Sequence, residues 1–174
     1  MIQRVLTLFL ILSLQLWAIQ YKPTVLELEA KLFPKMVLLN TDIDKSSDTL
    51  QIYIIIKEWD LYTALELQKD IELNYPDKIS GKKIVVSVEE FQEFQTLPDA
   101  IIVLHHNSEE LTKIANWANR HKIISLAYDP SYMQYGILAS LYLGKATKPY
   151  LNREIIQKYG FKFSPYLLKL SKFK

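Results

Sequence analysis

Cysteine is absent from the 174 residues. That excludes disulfides, thiolate metal sites, cysteine nucleophiles and lipid attachment through a thiol, so stability must come from the core alone. Glycine is scarce, and each of Gly81, Gly136, Gly144 and Gly160 has a turn or helix-end explanation. A phosphate-cradling loop or dinucleotide fingerprint is thereby excluded. Charge of one sign is not in excess, since the formal net charge is +2. A nucleic-acid partner would demand a basic stripe, and none is present. GxSxG, SxxK and HExxH are also missing, which removes the common nucleophile and zinc signatures and points away from an enzyme.

What is present begins with the first eighteen residues. Arg4 is followed by an apolar stretch from Val5 to Leu16, broken only by Thr7, Ser13 and Gln15. It falls short of the about 20 apolar residues that a membrane span takes. The pattern predicts a signal peptide over residues 1–18, cleaved after Ala18, with a retained N-terminal anchor or a buried first helix as the competing readings, and a single domain over residues 19–174 exported to the periplasm. No further hydrophobic span follows, so the mature chain is expected to carry no membrane span.

Along residues 24–39 the apolar positions Val25, Leu28, Leu32 and Phe33 repeat at helical spacing, with Thr24 as the expected cap and Pro34 as an expected kink or interruption. LQIYIII (50–56), KIVVSV (83–88), AIIVL (100–104) and IISLA (123–127) read as strands. Helices are expected over 61–73, briefly over 89–95, and from a Ser108 cap onward. This alternation makes an α/β fold, a mostly parallel sheet with helices on both faces. After Asp129-Pro130 a β-hairpin spans 137–151. Asn152 and Ser164-Pro165 then start short helices, and Gly160 ends the first of them.

Candidate chemistry is sparse. His105 and His106 follow the third strand at the sheet's carboxyl end, where open α/β sheets bind ligands. As neighbours in an extended segment they should point apart, so no metal is expected there, and none at His121, a helix-end residue. Glu89, Glu90 and Glu93 have no facing carboxylate and read as a solvated helix start. The segment YDPSYMQY (128–135) follows the fourth strand to the same edge. Tyr128, Asp129, Tyr132 and Tyr135, with His105 and His106, form the candidate ligand or partner surface. The competing reading is a loop packing its rings on the sheet rim. No cofactor is expected.

The C-terminal segment carries a resemblance. Gly136-Ile137-Leu138, Asn152, the helix 153–159, Gly160 and SPYLLKLS (164–171) resemble the closing signature of the YfiR-like family of small periplasmic proteins. LFPKMVLL (32–39) is similar to that family's first amphipathic helix, and the strand–helix–strand run from Ile101 to Asp129 fits its middle. The resemblance implies a non-enzymatic periplasmic regulator that binds proteins, the best-known member restraining a membrane diguanylate cyclase and so lowering cyclic di-GMP. The implied partner is a membrane-bound signalling protein, with a homodimer left open. Redox control through disulfides cannot apply without cysteine. The same ending also resembles that of periplasmic substrate-binding proteins of transporters, which implies the alternative of a one-lobed small-ligand-binding module.

Overall fold

The computed structural model describes residues 21–174. The expected signal peptide, residues 1–18, lies outside them. The chain forms α1 (Pro23–Leu38), β1 (Thr49–Ile56), α2 (Leu61–Asn74), β2 (Lys83–Glu90), β3 (Ala100–Val103), α3 (Ser108–Arg120) and β4 (Ile124–Ala127). A 3-10 helix (Pro130–Tyr135) leads to the hairpin β5 (Ala139–Leu143) and β6 (Thr147–Leu151). The chain ends with α4 (Arg153–Tyr159), α5 (Pro165–Leu170) and β7 (Lys172–Phe173).

The seven strands make one sheet in the order β2-β1-β3-β4-β5-β6-β7, parallel except where β5 meets β6. β1 is buried along most of its length, which explains its nearly continuous apolar run. Register lines up Ile54, Ile102 and Leu126 on one face, and Ile55, Val103 and Ala127 on the other. α1, α2 and α5 cover the first face, and α3 covers the second. Each fully buried isoleucine or leucine in these rows contributes about 1.5–3 kcal/mol on burial.

Four local expectations are corrected. α1 is not interrupted at Pro34, which sits buried inside an unbroken helix. The proline removes one hydrogen bond, but the burial of Ala30, Phe33 and Val37 holds the turn against the sheet. The same helix starts at Pro23 with Lys22 outside it, so Thr24 is not its cap. Residues 89–95 form no helix. Glu89 and Glu90 pair with Ile55 and Ile56 as the end of β2, the ladder overriding their low strand preference. α3 is capped by Asn107, whose side chain accepts the Glu110 N–H at 2.9 Å, and Ser108 is its first helical residue.

The C-terminal punctuation is as expected. Asn152 Oδ1 accepts from Ile155 N–H, Ser164 Oγ accepts from Leu167 N–H, and Gly160 takes the left-handed conformation at φ 67°. β4 and β5 share only the Leu126–Ala139 pair. Two buried hydroxyls complete the seam: Leu138 N–H donates to Ser125 Oγ (3.0 Å), and Ser140 Oγ donates to the Ala127 carbonyl (2.7 Å).

Candidate functional site

The chain leaves β1 toward β2 on one side of the sheet and β3 toward β4 on the other. The carboxyl ends of β1 and β3 therefore flank a topological switch point, the position where open α/β sheets form their crevice. A cleft of about 330 Å³ opens beside it. His105, His106, Tyr128, Asp129, Tyr132 and Tyr135 all line it, so the structure brings the six candidate residues together.

Each side chain is held by a local cause. Asp129 caps the 3-10 helix by accepting the Ser131 N–H at 2.8 Å, and that turn carries Tyr132 and Tyr135 back over the sheet edge. Tyr132 Oη lies 3.1 Å from His105 Nδ1. Tyr128 Oη accepts the Lys22 N–H at 2.8 Å. His105 and His106 both border this cleft from an irregular loop (104–107) where strand alternation no longer applies, and His106 also borders a second cavity on its other side.

Tyr21 and Asp60 were not among the expected residues. Tyr21 lies just before α1, and its ring meets Tyr128 edge-to-face with centroids 4.7 Å apart. Its hydroxyl donates to Asp60 Oδ1 (2.8 Å) and accepts the His105 N–H (3.0 Å). Asp60, in the short 3-10 turn after β1, is only 3% exposed, and its Oδ2 has no partner. The sequence signal that pointed to the other members, position just after a strand, applies to Asp60 as well. For Tyr21 there is none, because it enters from a segment remote in the chain.

Electrostatics follow from burial. Desolvation, then the bond to Asp60, drives the Tyr21 phenol far above the usual tyrosine range. Burial also raises Tyr128 and Tyr132, so all three rings remain neutral phenols. His106 is 4% exposed and neither ring nitrogen has a partner. Burial lowers its pKa, against smaller opposing contributions from the Leu104 carbonyl and Glu110. Its other side borders a second cavity of about 140 Å³, next to the ion pair of Lys57 with Glu110. Glu29, on α1, is fully buried with both carboxyl oxygens unpartnered, and desolvation raises its pKa well above the ordinary range. Among the described residues no group of three or more His, Asp or Glu is placed to hold a metal ion.

A separate surface feature adjoins this edge. Trp59, Leu61, Tyr62 and Leu65 are exposed, Trp59 and Tyr62 by more than two-thirds. Leu61, Tyr62 and Leu65 lie at spacings of three and four residues in the first turns of α2, and Trp59 lies in the 3-10 turn just before it. Among the described residues no helix is long and apolar enough to cross a membrane.

No protein-family model matches the chain, and no curated protein matches it. Solved structures do. One is a conserved domain protein from Vibrio cholerae O1 biovar El Tor, with a TM-score of 0.58 and 14% identity over 85% of this chain and 59% of that one. Another is the ABC domain in complex with L-Trp from Streptococcus pneumoniae, with a TM-score of 0.57 and 11% identity over 85% of this chain and 61% of that one. The chain thus spans about three-fifths of the length of these structures, and at such identities the likeness establishes a shared α/β fold.

Proposed function

We propose that this chain is a periplasmic regulatory domain of the YfiR-like kind, acting by binding the outer domain of a membrane signalling protein such as a diguanylate cyclase. The observation that carries this reading is the apolar stripe of Trp59, Leu61, Tyr62 and Leu65. Large aromatics clustered on a surface are the usual anchors of protein interfaces, whereas scattered apolar side chains are ordinary.

The test is to delete the gene in its host, measure cyclic di-GMP, and crosslink the exported protein to its membrane partners. A changed cyclic di-GMP level, with a cyclase captured by the wild type and lost by a Trp59→Ser/Tyr62→Ser variant that still folds, supports the reading. An unchanged level with no cyclase captured sinks it.

A second reading, a one-lobed small-ligand-binding module, is favoured by a different observation. A cleft of about 330 Å³ lined by aromatic and polar side chains lies at the switch point, where open α/β sheets bind small ligands. The streptococcal neighbour is a complex with L-Trp. Calorimetric titration of the purified domain with L-tryptophan and other amino acids tests this reading, and heats no larger than those of dilution would argue against it.

A further inference from the structure

The lining of the switch-point cleft selects for one sign of ligand charge. This inference rests on the small-ligand reading. Four tyrosines, Tyr21, Tyr128, Tyr132 and Tyr135, form much of the wall, and Asp129 is the one lining carboxylate. No lysine or arginine lines the cleft, and no cation pairs with Asp129 among the described residues. Aromatic faces carry negative potential and attract cations, most strongly when several rings surround them in a desolvated site.

The walls are also preorganised. The hydroxyls of Tyr21, Tyr128 and Tyr132 are each hydrogen-bonded within the protein, to Asp60, the Lys22 N–H and His105, so ring positions are set before any ligand arrives. One feature opposes a cation: α3 begins at the cleft through Ser108, and a helix start favours anions. It is already answered. Asn107 takes up the Glu110 N–H, and the carboxylates of Glu109 and Glu110 fill the first turn.

We propose that the cleft binds a small organic ammonium ion, surrounded by the four tyrosines, with Asp129 as its counter-charge. Its volume suits a ligand of about the size of choline, at the low end of ordinary small-molecule sites.

The test titrates the purified protein with choline, with its uncharged isostere 3,3-dimethyl-1-butanol, and with L-tryptophan, by calorimetry and by amide chemical shifts. Choline binding at least about tenfold tighter than the isostere supports the proposal. So does about three- to tenfold weakening in Asp129→Asn, which keeps the cap on Ser131. Tyr132→Phe should retain choline and Tyr132→Leu should lose it. If Tyr132→Leu fails to fold, the isostere and Asp129→Asn still decide. Equal binding of choline and the isostere, or binding of L-tryptophan alone, overturns the ammonium class and leaves the small-ligand reading standing. Binding of none of the three by the folded protein overturns the class and counts against the small-ligand reading as well.

Discussion

The Tyr21 hydroxyl donates to Asp60 Oδ1 at 2.8 Å and ties the segment before α1 to the turn after β1, thirty-nine residues away. Among the described residues it is the one hydrogen bond to a carboxylate whose second oxygen is buried without a partner. Tyr21→Phe therefore removes more than a surface contact. It should destabilise the domain by about 1–3 kcal/mol, the cost of leaving a buried polar group unmade. Urea unfolding of Tyr21→Phe, Asp60→Asn and the double variant would give the coupling. Strict additivity would mean that the bond contributes nothing.

Glu29 predicts a stability that falls as pH rises. Its folded pKa lies above the ordinary value of 4.5, so the unfolded chain ionises first. The contribution is full below that value and is lost as pH climbs toward the folded pKa. Glu29→Gln should abolish this loss and raise the urea midpoint at neutral pH. An unchanged slope between pH 4.5 and neutrality would refute it.

His106 acts with the opposite sign. Its folded pKa is below the ordinary 6.5, so the unfolded chain takes up a proton that the folded chain refuses. Stability is full above pH 6.5 and declines as pH falls through the folded value. His106→Phe should flatten the profile below pH 6.5. Comparing that variant with Glu29→Gln separates the two groups where their windows overlap.

Ser125 predicts a fragile seam. β4 and β5 share one backbone pair, and the Leu138 N–H relies on Ser125 Oγ. Ser125→Ala orphans that buried donor and should cost about 1–3 kcal/mol. Hydrogen exchange should show earlier opening of residues 138–143 than of β1 and β3; uniform protection would count against it.

Asn152 should matter more than an ordinary cap. Its Oδ1 caps α4, and its Nδ2 donates to the Met133 and Ile137 carbonyls at 3.0 and 3.3 Å. Asn107 caps α3 from an exposed position with one bond. Asn107→Ala should cost about 1 kcal/mol. Asn152→Ala should cost at least about 2 kcal/mol, because it also strands two carbonyls. Equal losses in thermal or urea unfolding would contradict this assignment.

Much of the scaffold is legible in the chain because it is a matter of local preference and periodicity. The β-branched runs 50–56 and 100–104 are strands, and Asn152, Gly160 and Ser164-Pro165 punctuate the C-terminal helices where expected. Local preference fails where partners outvote it. Pro34 stays helical because its neighbours are buried, and Glu89 and Glu90 stay extended because β1 pairs with them. The misplaced cap at Ser108 differs by one residue, since asparagine and serine compete for the same role.

The candidate site divides along the same line. Position after a strand is a sequence property, and it was enough to gather His105, His106, Tyr128, Asp129, Tyr132 and Tyr135 at one edge of a parallel sheet. Only the tertiary structure decided that the two histidines share a cleft, that Tyr21 closes it, and that Asp60, His106 and Glu29 are buried with polar atoms unpartnered. Those facts depend on loop conformation and on desolvation by residues far apart in the chain. Hydrophobic periodicity encodes which face of an element is buried, and it carries no record of which polar groups that burial leaves without water.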